Sequence, residues 1–485
     1  MDRRGEEDLL THYYMEQSGH GSQIYSGQLF QKGYGIGSFL GGLFRYVLPL
    51  IKQMAFINAH KSIAVKSELD LFTVKPTQTC VEAGIFQEYR PVAAIDGDGP
   101  IEFQIPPSDD YIDLSHTQIE LKVKITTENG SDLGPLHTVA PVNCFLSSMF
   151  QHLSIELNNK TITPPSNSYH YRSYIENILN YSHEAKNTHM TSAMFVKDEA
   201  GKMDDVTSTG FQARRAVMHG GIIELSGYLH TELMSQDKYL INGVGMRLKL
   251  YRSKPEFALL KKSDDTNNYR IKIEEAVLLI RKAKINPSVL IAHERALSKS
   301  NVKIPINRVD LKTITIPADL QSKTLDNLII GQIPKRVIVG MVTAAAFNGN
   351  GSKNPFNFMH FDHNYVSLSS DSHTSIRPIK SDFDKKQFLQ SYLSLYTSSG
   401  ICFSDAGNDI TRMDYPNGYA LLGFDLTEDL SASENHLSLP RQGSLRLDLQ
   451  FAKPLTEPIT LILYSEFDNI IEIDRDRNIF LDYSS

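Results

Sequence analysis

Three side chains within a run of four, His360, Asp362 and His363 in "HFDH", are of the types that hold a divalent metal. In an extended chain His360 and Asp362 share one face and His363 takes the other, so the three do not converge locally and no metal is expected there. Asp96 and Asp98 in "DGDG" begin like a calcium loop but lack the glutamate such a loop needs downstream, and a tight turn fits them better. The paired charges of "DDYIDL" (109–114) and "DRDRN" (474–478) read as solvated loops or tails rather than a carboxylate dyad. Cys144 follows Asn143 beside an apolar run and reads as core, not as a nucleophile. Arg214 and Arg215 carry charge that could touch nucleic acid or a neighbouring subunit; an inserted loop with exposed charge explains them more simply. No GxSxG, HExxH or P-loop occurs. No catalytic residue, cofactor or metal is therefore assigned.

The elements that would position such residues belong to a folded chain. At 485 residues, 41% hydrophobic and 22% charged, there is enough for two or three domains with real cores. A net charge of −7 provides no overall field for nucleic acid, and sequence-specific binding to it is not expected. Cys80, Cys144 and Cys402 are too few and too scattered for a disulfide framework, which favours a reducing compartment. The opening "MDRRGEEDLLTHYY" is charged where a secretory signal needs an apolar core, so an intracellular chain is expected. The sequons at Asn129, Asn159, Asn180 and Asn350 then read as plain surface asparagines.

Residues 1–65 form a separate object. Within "GYGIGSFLGGLFRYVLPLIKQM" (33–54), Ile36, Phe39, Leu40, Leu43, Val47, Leu50 and Ile51 recur at helical spacing and make a one-sided apolar stripe. Arg45 and Pro49 interrupt the run before it reaches the roughly 20 apolar residues of a spanning helix. These seven residues are candidate membrane or partner contacts. A terminal helix folded onto the body, a membrane-active peptide and a joined neighbouring reading frame all remain open. Its glycine spacing follows no strand, which excludes a nucleotide-binding turn.

From about Lys66 the texture changes to short alternating runs punctuated by Pro, Gly, Asn and Asp, the pattern of antiparallel strands. The runs come in pairs. "MRLKLYRS" (246–253) is echoed by "LRLDLQFA" (445–452), 199 residues on. Ile105–Pro106 and Ile316–Pro317 each close a strand, 211 apart, and Asn143 and Asn354 are also 211 apart. "LSIELNNKTITPP" answers "YVSLSSDSHTSIRP", and "YRSYIENILNY" answers "FLQSYLSLY", whose Ser-Tyr pairs are 218 apart. Gly227 answers Gly423, and "EAVLLIRK" answers "TLILYSEF" at an offset near 185. The order is kept while the offset falls, as an insertion over 183–221 would produce. The reading is an all-β body of two related domains, 66–285 and 286–485, each of about eight strands in a sandwich or barrel. Two tandem jelly rolls with short inserted helices fit the strand count, and the residues by themselves establish a tandem β-sandwich.

At these landmarks the chain resembles the major capsid proteins of Polinton/Maverick elements and adintovirus-like viruses. The resemblance runs from about Lys66 to Asp474 through "PVNCFLSSMFQHLSIELNNKTITPP", "DKYLINGVGMRLKLYRSKPEF", "NPFNFMHFDHNYVSL" and "LRLDLQFAKPL". It implies a double jelly roll, a non-enzymatic shell subunit in virions, and pseudo-hexagonal homotrimers that meet copies of themselves and a penton-like subunit. Such genes also occur integrated in animal genomes. The rivals are a host-retained tandem β-sandwich that binds a ligand or carbohydrate, and a two-domain hydrolase. Trimer mass on size-exclusion chromatography separates the first reading from the second, and a deep polar cleft would revive the third.

Overall fold

Alternation in the sequence becomes alternation of burial. In "IEFQI" the side chains of Ile101, Phe103 and Ile105 are buried while Glu102 and Gln104 turn outward. The computed structural model describes residues 77–218, 221–370, 377–402 and 404–483. Residues 36–51, with the seven candidate contacts, lie outside these.

Before residue 286 the strands are β1 (Val81–Tyr89), β2 (Ile101–Ile105), β3 (Tyr111–Thr127), β4 (Val139–Pro141), β5 (Phe150–Leu157), β6 (Lys160–Thr161), β7 (Ile223–Tyr228), β8 (Met246–Arg252), β9 (Leu259–Lys261) and β10 (Tyr269–Ile285). After it come β11 (Val302–Ile316), β12 (Ser322–Gln332), β13 (Arg336–Thr343), β14 (His363–Ser370), β15 (Ile379–Lys380), β16 (Leu421–Asp425), β17 (Gln442–Phe451), β18 (Ile459–Ile473) and β19 (Ile479–Leu481). The small β4–β9 pair and β19 stand apart from the main pattern. The remaining strands form sheets β1-β10-β3-β7 and β2-β8-β5-β6, then β11-β18-β13-β16 and β12-β17-β14-β15. Counted along each set, both sets read first-eighth-third-sixth over second-seventh-fourth-fifth. That is jelly-roll topology, written twice.

The repeated strand of the sequence now has its explanation. β8 and β17 are both seventh strands, each held between the second and fourth of its set. Asn143 and Asn354 both lie between a third and a fourth strand, and Gly227 and Gly423 both lie on sixth strands. One expected match is wrong. Ile105 ends β2, a second strand, whereas Ile316 ends β11, a first strand; an Ile-Pro exit marks where a strand stops without saying which strand it is. The hairpin between β5 and β6 turns on Asn158 and Asn159 at φ 44 and 66°, the left-handed pair that a tight two-residue turn requires.

Four helices matter below: α1 (Tyr169–Asn180), α2 (Thr209–Met218), α3 (Pro287–Leu297) and α4 (Leu389–Ser398). α1 and α2 lie in the long 162–222 connection, α3 links the two strand sets, and α4 sits in the shorter 381–420 connection. Each sandwich has its own core, one built around Phe103, Leu121, Ile155 and Leu248, the other around Val339, Leu447, Leu449 and Leu463. Ile304 and Ile306 of β11 and Ile471 and Ile473 of β18 join the first core, so the sandwiches share side chains. A third cluster lies between them.

Candidate functional site

That third cluster is where the repeat becomes one object. Nearly every residue of α1 is buried, which a helix tolerates only when protein covers it on all sides. Arg172, Ile175, Glu176 and Leu179, at i, i+3, i+4 and i+7, turn toward the outer face of β11-β18-β13. With Val309, Ile338 and Tyr464 they line a cavity of about 160 Å³. Beside it, Tyr174 stacks on Phe356 with ring centroids 4.2 Å apart, and Tyr171 meets Phe347, Phe257 and Phe358. Phe356→Leu keeps the site apolar but removes the stacking, and is expected to cost about 1–2 kcal/mol in urea denaturation. An unchanged midpoint would mean that the stack contributes nothing.

A buried charge network crosses the same junction. Arg172 donates to Glu176 at 2.8 Å and to Glu232 at 2.6 Å. His230 Nδ1 lies 2.7 Å from Glu176, the Val309 amide donates to Glu232 at 3.2 Å, and the Tyr464 hydroxyl donates to Glu176 at 3.3 Å. Burial alone would push the Glu176 carboxyl up; Arg172 and then His230 outweigh it and hold it at about 2. Burial likewise works against the Arg172 charge, and the two glutamates overcome it. The carboxylates of the first strand set thus accept from the first and eighth strands of the second.

A second network fastens the long connection. Arg214 is fully buried: it pairs with Asp198 at 2.5 Å and donates to the carbonyls of Pro141 and Val196. Asn354 donates to Asp198 at 3.1 Å, and the Tyr419 hydroxyl donates to the Asp198 carbonyl at 2.7 Å. Lys186 donates to the carbonyls of Ile178 and Asn408, and burial lowers its ammonium to about 8. The expectation of exposed charge at Arg214 is therefore overturned. Arg215 alone is partly exposed, donating to the Pro135 and His137 carbonyls.

The other sequence candidates scatter. His360 and Asp362 pair at 3.2 Å in a turn whose Phe361 and Asp362 have positive φ, while the buried His363 opens β14 and meets the His360 carbonyl and Ser391. Among the described residues no cluster of three or more His, Cys, Asp or Glu could hold a metal. The solvated reading of "DDYIDL" is overturned at Asp113, which is buried on β3 and paired with Arg281 of β10 and with His116. In "DRDRN", Asp474 and Asn478 close a turn, but Arg477 bridges to Asn242 and Glu294. The Cys144 thiol is buried and pushed up to about 12 by that burial, which removes it as a nucleophile. Among the described residues no helix is long and apolar enough to cross a membrane.

Sequence reasoning missed Arg172, Glu176, Glu232 and Asp198. One signal was available. "RVIVGMV" on β13 is apolar on both faces, where "IELKVKI" on β3 alternates, and continuous apolarity marks a strand covered on both sides.

No family model matches the sequence. An uncharacterized protein of Caenorhabditis elegans is 26% identical over 422 residues, which cover 84% of this chain and 99% of that protein. The cryo-EM structure of the Sputnik virophage superposes with a TM-score of 0.59 at 11% identity, over 88% of this chain and 94% of that one. PBCV-1 VP54 superposes at 0.55 and 8% identity, and the PBCV-1 virus capsid at 0.54 and 9%; each covers 86% of this chain and 100% of that one. At such identities the likeness is one of fold. The chain is a double jelly roll.

Proposed function

We propose that the chain is a major capsid subunit of the Polinton/Maverick or adintovirus type, non-enzymatic, whose trimers fill pseudo-hexagonal positions of an icosahedral shell. The observation that carries this reading is the strand order repeated in full inside one chain. A lattice position with six neighbours can be filled by three copies when each copy offers two alike faces. The fold likeness to virus structures supports it, and the nematode relative fits a gene resident in an animal genome. On this reading the sandwiches divide at 285/286. Partners are further copies, a penton-like subunit at vertices and, through the stripe from Ile36 to Ile51, a membrane surface. The location is the virion, with intracellular assembly before it.

The full chain should elute at three times its monomer mass, and removal of residues 1–60 should leave that mass ratio intact. A monomer at every concentration would sink the reading. The alternative, a host-retained binding module, draws on one observation. A cavity of about 440 Å³ in the first sandwich is lined by Cys144, Asn177, Tyr181, His189, Tyr228 and others. A monomer that takes up a small ligand there would favour it.

A further inference from the structure

The same helix occurs twice in this chain but is covered only once. α1 and α4 each follow the fifth strand of their set and precede the sixth. Setting Ser173–Tyr174 against Ser391–Tyr392 places Tyr171 with Leu389, Ile175 with Leu393 and Leu179 with Thr397. Tyr171, Ile175 and Leu179 are buried, whereas Leu389 is 47% and Leu393 41% exposed, and Thr397 is exposed. These last three, at i, i+4 and i+8, form one outward stripe.

The sheet that covers α1 also has an uncovered counterpart. On β18, Tyr464 stands opposite Leu311 of β11 and Ile338 of β13. On β10, at the position given by the 185-residue offset, Leu279 stands opposite Glu88 of β1 and Gln118 of β3. Two residues along, Val309 faces Glu466 in the second sheet and Phe86 faces Arg281 in the first. Val309 is buried under the junction, while Phe86 is 56% exposed. A groove of about 390 Å³ runs over this outer face beside Val277. Its lining carries Glu88, Glu120, Glu224 and Glu275 against Lys122 and Arg90, an acidic excess. Exposed Arg412, 5.9 Å from the Phe388 ring at the start of α4, supplies the opposite sign.

We propose that α4 of one copy docks, through Leu389 and Leu393, on the outer face of β1-β10-β3 of a second copy, against Phe86 and Leu279. The contact repeats between chains what α1 makes within one. It rests on the capsid reading and adds the surfaces to it. Because helix and sheet are different patches, the contact is heterologous and must close into a ring; three copies then hold six alike helix-on-sheet contacts. The stripe is short and the sheet face mixed, which suits a surface that stays soluble until copies meet.

The test uses the full chain. Leu389→Glu with Leu393→Glu on one side, and Phe86→Glu on the other, alter exposed residues and should leave the far-UV spectrum and melting temperature unchanged. Each should convert trimers to monomers at least tenfold more readily on dilution in light scattering. With Cys80 and Cys402 replaced by Ser, Leu393→Cys together with Phe86→Cys should give covalent dimers and trimers under oxidation on non-reducing gels. Trimers that persist in both glutamate variants, with no cross-link, would overturn this docking while leaving the capsid reading intact. A wild-type chain that is monomeric at every concentration would overturn both.

Discussion

Arg172→Met is expected to lower the unfolding free energy by about 3–5 kcal/mol, because it strips a buried pair of its cation rather than removing the pair. Glu232, 1% exposed at its side chain, and Glu176 would be left facing each other across the junction with only His230 to compensate. Part of the loss should appear as proton uptake, since without Arg172 the burial that already opposes the Glu176 charge prevails. The triple variant Arg172→Met, Glu176→Leu, Glu232→Leu should recover most of the stability by exchanging an ionic network in which the buried Glu232 Oε2 has no partner for apolar contact of similar volume. Urea denaturation at pH 7 measures both. A single variant within about 1 kcal/mol of wild type would show that water reaches these carboxylates. The triple variant should also lose the hydrogen bonds from Val309 and Tyr464 that hold the second sheet to the first set.

How much of this was legible depended on whether the deciding contact was local. The echo of β8 and β17 was readable because each strand carries a two-residue period, with Leu248 and Leu250 or Leu445, Leu447 and Leu449 inward. The kinship of α1 and α4 was readable from the shared Ser-Tyr and aromatic content. Which helix would be enclosed was not, since Tyr464 lies 288 residues from Glu176. Arg214 looked exposed because it falls, next to Arg215, in the segment read as an inserted loop; its burial was set by Asp198 and, through it, by Asn354 and Tyr419 in the other half. Asp113 misled for the same reason. Two further acids precede it, but its partner Arg281 lies 168 residues away on the adjacent strand.

Acid should loosen the subunit well before its carboxylates titrate. His170 sits among Tyr171 and Phe257 with its Nδ1 lacking a partner, and burial lowers its pKa to about 3. His363, beside Phe383, the His360 carbonyl and Ser391, is lowered by burial to about 4. Both are neutral when folded and protonate near 6.5 when unfolded. Between pH 6.5 and about 4 these two sites let the unfolded chain bind up to two more protons than the native one, and His360, also lowered by burial, acts in the same direction, so stability rises with pH through that window and falls as pH drops. From pH 7.5 to pH 5 the expected loss is about 4 kcal/mol, near 2 for each histidine. Glu176 acts later and through its own charge: its folded pKa of about 2 lies below the unfolded value, so its contribution holds above pH 4.5 and disappears only below it. Urea midpoints at pH 7.5, 6, 5 and 4 would trace the first stage. His170→Phe, which fits the surrounding rings, should roughly halve the slope between pH 6.5 and 5, and a midpoint equal at pH 5 and 7.5 in the wild type would remove the argument. Because His170 lies on α1, its half of the expected loss belongs to the packing of the helix that joins the two sandwiches, while the half due to His363 belongs to the contact of β14 with Ser391 of α4.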